Sequence, residues 1–222
     1  MSYEYSENEL VQNSAIELLR DTLGWRTFYA YNDEVLGNDS SSKSLGRSSY
    51  KEILLTRYLK EAVFKFNNWM TDEIFEQIVK ILNTKVSSDS DIQNNEKNYQ
   101  YFKDGIEVDV KDENGNYIKR RAKLFDFTHP EENDFLAVQE MKIWGEVYHR
   151  RADIVGFVNG IPLLFVELKR DDVDIQEAYE NNYKDYRTTI PQLFYYNAFI
   201  VFANGPEAKI GTLESKYKFF HE

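Results

Sequence analysis

The chain has 222 residues, 42% hydrophobic and 15% aromatic, which suits one packed domain, or a domain with a helical extension, and excludes global disorder. It contains no cysteine, which excludes disulfide frameworks, thiolate zinc sites and cysteine nucleophiles. Its net charge of −11 is awkward for a freestanding nucleic-acid binder, because phosphate contacts supply most non-specific affinity: either the protein avoids nucleic acid, or something else delivers it.

Apolar residues at helical spacing (Leu10, Ala15, Leu18, Leu19, Leu23) predict a first helix over residues 9 to 23. Ser6 and Glu9 form its capping box and Gly24 stops it. The acidic start is unlike a signal peptide. Residues 38 to 49, rich in Ser, Asn and Gly, read as a loop. Amphipathic helices follow over 50 to 69 and 72 to 83, the second capped by Thr71 or Asp72. The polar residues 84 to 98 are expected to form a long exposed loop. From residue 101 the pattern turns to strands. Residues 106 to 110 alternate with period two, Asp112 to Asn116 make a turn, 117 to 127 return, and 135 to 144 form another strand. Residues 174 to 187 are helical. Residues 198 to 203 form an apolar run consistent with a buried central strand, and a short strand near Ile210 ends the series. A helix between two sheet strands implies a right-handed crossover and a mixed sheet. No run reaches the roughly 18 apolar residues that cross a bilayer, so a cytoplasmic location and no membrane partner are expected.

Between those strands lies the densest chemistry. The stretch from Asp153 to Lys169 reads as two strands folded about Asn159-Gly160, a strong hairpin signal. With a loop over residues 159 to 161, Val158 pairs with Pro162 and Asp153 comes opposite Glu167. Lys169 lies two residues on and so faces the same side. Two carboxylates and an ammonium in an otherwise apolar strand pair need compensation. A divalent cation between the carboxylates supplies it; so would an ion-pair cluster with Arg150, Arg151 or Lys169 on a solvated sheet end.

This order, with Asp on one core strand and Glu-x-Lys on the next, resembles the PD-(D/E)xK nuclease superfamily. The segments Arg150 to Lys169 and Ile190 to Gly205 narrow the resemblance to the N-terminal nuclease domain of type I restriction enzyme R subunits. It is strong over residues 130 to 213, weak in the first helix and slight over 25 to 125. Ala152 stands where the motif name expects proline. The family's Gln-x-x-x-Tyr becomes Asn182-Tyr-Lys-Asp-Tyr186, or is shifted to place Asn181 first.

The resemblance implies an α/β fold: a restriction-endonuclease-like mixed central sheet flanked by helices, with an added helical segment in the N-terminal half. Residues 1–222 would form a single nuclease domain, mostly helical over 1–100 and sheet-rich over 101–222. It implies Mg2+ held by Asp153, Glu167 and the backbone carbonyl of Leu168, with Lys169 beside the attacking water. Asn182, Tyr186 and Gln139 would support the site or touch substrate, as would Glu7 or Glu9. The implied activity is cleavage of double-stranded DNA within a type I restriction enzyme. Methylase and specificity subunits would be partners, and the fragment would be monomeric alone. ATP would serve only motor domains. The chain carries no Gly-x-x-x-x-Gly-Lys-Ser/Thr. An attached motor and partner subunits would deliver the DNA despite the acidity. A non-catalytic docking module is the rival expectation.

Overall fold

The computed structural model describes residues 7–37, 44–85 and 90–222, residues 7–10 by their backbone alone. Helix α1 (Glu7–Glu17) widens into a π-helical turn at Leu18–Thr22 and ends at Gly24, whose φ of 72° suits a glycine. The expected cap Ser6 lies outside the described residues. Strand β1 (Arg26–Tyr29) and the single-turn helix α2 (Ala30–Asp33) follow. Helix α3 spans Thr56–Phe66, shorter than expected, because residues 53 to 55 are buried in a non-helical approach that hydrogen-bonds elsewhere: Leu55 N donates to Gly160 O at 2.9 Å. Helix α4 (Asp72–Asn83) starts at Thr71, whose hydroxyl accepts from Ile74 N.

The expected loop over 84 to 98 is a correction. Helix α5 (Asp91–Asp104) begins there, held by a capping box of Ser90 and Gln93. Its buried face carries Asn94, Asn98 and Phe102 at four-residue spacing, so apolar periodicity cannot reveal it. It docks through amides: Asn95 Nδ2 donates to Asn197 O at 2.8 Å and Asn98 Nδ2 to Tyr195 O at 2.9 Å.

Strands β2 (Ile106–Lys111) and β3 (Tyr117–Ala122) form a separate antiparallel pair, the second ending well before residue 127. Strands β4 (Phe135–Trp144), β5 (His149–Val158) and β6 (Ile161–Leu168) form a meander. A π-helical segment (Ala178–Tyr183) and helix α6 (Lys184–Thr189) then cross to β7 (Phe199–Ala203), and β8 (Ala208–Gly211) closes the edge. The six-stranded sheet runs β1-β4-β5-β6-β7-β8, parallel at β1/β4 and β6/β7 and antiparallel elsewhere. It is the expected mixed sheet.

Strand periodicity sends alternate residues to opposite faces. Ile154, Val166 and Leu168 pack with Ile16 of α1 and Leu19 of the π-helical turn that follows it. Val155, Phe157, Phe165, Ile200 and Phe202 join the larger cluster with Tyr183, Tyr186 and Phe194. The sheet is therefore covered on both faces. No helix among the described residues is long and apolar enough to cross a membrane.

Candidate active site

The hairpin between β5 and β6 sets the site. Asn159 (φ 52°) and Gly160 (φ 77°) are both left-handed, the signature of a two-residue type I′ turn. The loop is thus one residue shorter than expected, and Val158 pairs with Ile161 instead of Pro162. A β-bulge then shifts the register, so that Gly156 faces Leu164. The extra residue restores the expected level further out. Ile154 pairs with Val166, and the next step outward brings Asp153 level with Glu167.

At this open end Leu168 N donates to Asp153 Oδ2 at 2.7 Å, and Gln12 Nε2 lies 3.3 Å from Oδ1. Glu167 is 2% exposed, and its Oε2 has no hydrogen-bond partner among the described residues. Its Oε1 lies 3.7 Å from Lys169 Nζ. Lys169 Nζ also donates to Asn182 Oδ1 at 2.6 Å. Tyr186 is buried, and its hydroxyl donates to Arg151 O at 3.0 Å, bracing β5 from α6. On an extended strand a residue's N–H and C=O face the same neighbour, so the Leu168 carbonyl shares the Asp153 side.

Burial pushes the Asp153 carboxyl up to about 6, with Glu140 adding to the rise and the Leu168 amide and Lys169 opposing it. Glu167 is raised well above the usual carboxylate range, first by burial and then by the nearby charge of Asp153, against the pull of Lys169. Two acids this close hold protons or share a cation more readily than they stand ionised alone.

Two site residues escaped the sequence reading. Glu140 accepts from Gln12 Nε2 at 2.6 Å and pairs with Arg151 Nε at 2.5 Å. The sequence reading points to its neighbour Gln139. Gln139 pairs with Tyr29 and Ile154, and among the described residues it makes no hydrogen bond to Asp153, Glu167 or Lys169. Gln12 is the polar member of a stripe with Ile16 and Leu19 on α1, a signal present in the sequence. The side chains of Glu7 and Glu9 lie outside the described residues.

No group of three acidic or histidine side chains among the described residues gathers to hold a metal by itself. A cation here would rest on two carboxylates, completed by backbone oxygen and water, which suits magnesium. The partnerless Glu167 Oε2 beside a second carboxylate fits such an ion.

A mixed sheet with helices on both faces, carrying acids and a lysine where two central strands part, defines a restriction-endonuclease-like α/β domain. Residues 4–219 match the model of the family described as the type I restriction enzyme R protein N terminus, and the chain belongs to that family. The HindI endonuclease subunit of a type I restriction enzyme from Haemophilus influenzae is 29% identical over 219 residues, 97% of this chain and 20% of the relative. MjaIXP, a putative type I restriction enzyme endonuclease subunit from Methanocaldococcus jannaschii, is 29% identical over 222 residues, again 97% and 20%. MjaVIIIP, another from that organism, is 27% identical over 200 residues, 83% and 19%. The chain spans about one fifth of the length of these relatives.

Proposed function

We propose that this domain hydrolyses phosphodiester bonds of double-stranded DNA with a divalent cation, as the cutting module of a type I restriction enzyme. The observation that carries this reading is the Glu167 carboxylate, buried with one oxygen unpaired among the described residues, beside Asp153 and Lys169. Asp153 and Glu167 would hold the cation, with the Leu168 carbonyl as a third protein oxygen. When bound, magnesium supplies a Lewis acid for the phosphate and lowers the pKa of its water.

The chain's own residues do the rest. Lys169 presents a compact positive charge beside Glu167, where it would stabilise charge gathering on the phosphate oxygens. Asn182 fixes the Lys169 ammonium from the π-helical segment. That is a role its short amide arm can fill without reaching substrate. Tyr186 holds β5 in place two residues from Asp153. Delivery of DNA to so acidic a chain would fall to motor domains using ATP, and sequence choice to methylase and specificity subunits.

Asp153→Ala, Glu167→Ala and Lys169→Ala are each expected to lower cleavage by the assembled enzyme by at least about 10²-fold. ATP hydrolysis by the full subunit should continue. A variant that cuts at the normal rate removes that residue from the mechanism. Titration calorimetry that finds no Mg2+ or Mn2+ binding to the chain would leave a docking module in place of a nuclease.

A further inference from the structure

Glu140 lies within β4, yet its backbone is left-handed, with φ of 54°. That conformation is costly for a residue with a Cβ and persists only where the surroundings impose it. The residue is also buried, at 7% exposure. Both carboxylate oxygens are committed: Oε2 to Arg151 at 2.5 Å and Oε1 to Gln12 at 2.6 Å. The pairs Gln139↔Ile154 and Met141↔Ala152 flank it, so Glu140 stands level with Asp153 on the adjacent strand. The Gln12 amide has two N–H donors, and it reaches both acids.

We propose that Glu140 and Gln12 are positioning residues for Asp153: with Arg151 they form a chain of charge-assisted contacts that orients the Asp153 carboxylate and makes the N-terminal helix part of the site. This rests on the reading that Asp153 holds a cation. Leu168 N fixes one Asp153 oxygen and Gln12 the other, so the carboxylate plane is set from two sides. A carboxylate has about four lone-pair directions, and those left over remain for the ion. Glu140 has a second effect. Arg151 is two residues from Asp153 on β5, and its guanidinium is the natural competitor for that carboxylate. Pairing with Glu140 keeps it occupied. The strained backbone at 140 is explained if it is what turns this acid toward both Gln12 and Arg151.

The test uses Glu140→Gly, Gln12→Ala and Asp153→Ala in the 222-residue chain, with Mn2+ titration calorimetry and thermal unfolding on each. Glycine tolerates the left-handed backbone and removes a buried charge, so Glu140→Gly should unfold at the same temperature as the unaltered chain or higher. Its Mn2+ affinity should fall by about tenfold or more, as when outer partners of metal ligands are removed. Gln12→Ala should weaken binding in the same direction. In the assembled enzyme, Glu140→Gly should raise the Mg2+ concentration for half-maximal cleavage, with much of the rate recovered at saturation. If Glu140→Gly binds Mn2+ normally while Asp153→Ala has lost binding, the positioning role fails and the cation site stands. A lowered unfolding temperature with unchanged affinity makes Glu140 a packing residue only. If Asp153→Ala binds as well as the unaltered chain, the cation reading itself fails.

Discussion

The two ends of the β5–β6 hairpin each bury a polar residue in the sheet, Asn159 at the turn and Glu167 at the open end, and treat it differently. At the turn, Asn159 is fully buried, and its side chain is satisfied throughout. Nδ2 donates to Leu124 O and Asn133 Oδ1, Oδ1 accepts from Asp134 N, and its own N–H donates to Asp134 O. At the open end, Glu167 is as deeply placed but has one oxygen without a partner among the described residues, and Lys169 sits at 3.7 Å without closing the contact. Asn159 belongs with the Arg47–Glu34 pair, whose side chains are 0% and 1% exposed and whose guanidinium also reaches the carbonyls of Glu52 and Lys142. An unpaired buried oxygen alone does not separate the two ends, because Asp134 Oδ2 beside the turn also lacks a partner among the described residues; what sets Glu167 apart is a second raised carboxyl and an ammonium next to it.

The sharpest way to break that contrast is at the turn. Asn159→Ala leaves Leu124 O and Asp134 N short of a partner, each worth about 1–3 kcal/mol, and removes one of the two donors to Asn133 Oδ1, which keeps Asp126 N. It also puts a residue poorly suited to the left-handed region at φ 52°. Chemical denaturation should show a loss of about 4 kcal/mol or more. The protein that remains folded should bind Mn2+ normally. Unchanged stability would mean that the satisfied end is not the structural one.

How far the sequence showed these ends differs for physical reasons. Asn159-Gly160 demands two left-handed residues, so the turn was readable. The bulge at Gly156/Phe157 was not, because nothing in the side-chain pattern marks the extra residue. Asp153 and Glu167 were still expected level, since a loop taken one residue too long cancels a bulge that adds one. Glu140 is readable only once the second turn is centred on Gly145 to Tyr148, which puts it opposite Asp153. Gln12 was hidden by assigning the buried stripe of α1 partly to Leu18 and Leu23, which are 57% and 59% exposed. Helix α5 was unreadable from apolar spacing because asparagines make its contacts.

The next contrast is in pH. Asp153 is raised to about 6 from an ordinary value near 3.8, and Glu167 is raised as well. Between those values the folded state binds more protons than the unfolded one, so stability falls as pH rises. For Asp153 alone, the rise corresponds to about 3 kcal/mol, fully present below about pH 4 and lost as pH passes about 6. A cation reverses the preference by favouring the ionised pair. Metal-free protein should therefore lose stability across this window, and Mg2+ should raise the unfolding temperature more at about pH 8 than at about pH 5. Asn159 itself does not titrate, and Asn159→Ala should leave the slope due to Asp153 and Glu167 in place. A metal-induced shift independent of pH would detach the cation from these carboxylates.

The smallest effect discriminates best, because its sign differs at the two ends. Glu167→Leu replaces a buried acid by an apolar side chain among Phe165, Val166 and Leu168, all buried. Lys169 keeps its bond to Asn182, so the ammonium is not stranded. Exchanging a poorly paired buried ion for a well-packed apolar group is often neutral or stabilising. Near pH 8 without metal, Glu167→Leu should gain about 1–2 kcal/mol in denaturant melts. It should also lose Mn2+ binding and cleavage. The gain should shrink toward about pH 4, where Glu167 already carries a proton in the unaltered protein and there is no unpaired charge to relieve. If the variant is destabilised at every pH, as Asn159→Ala should be, then Glu167 is part of the scaffold, and its unpaired oxygen is not held ready for a cation.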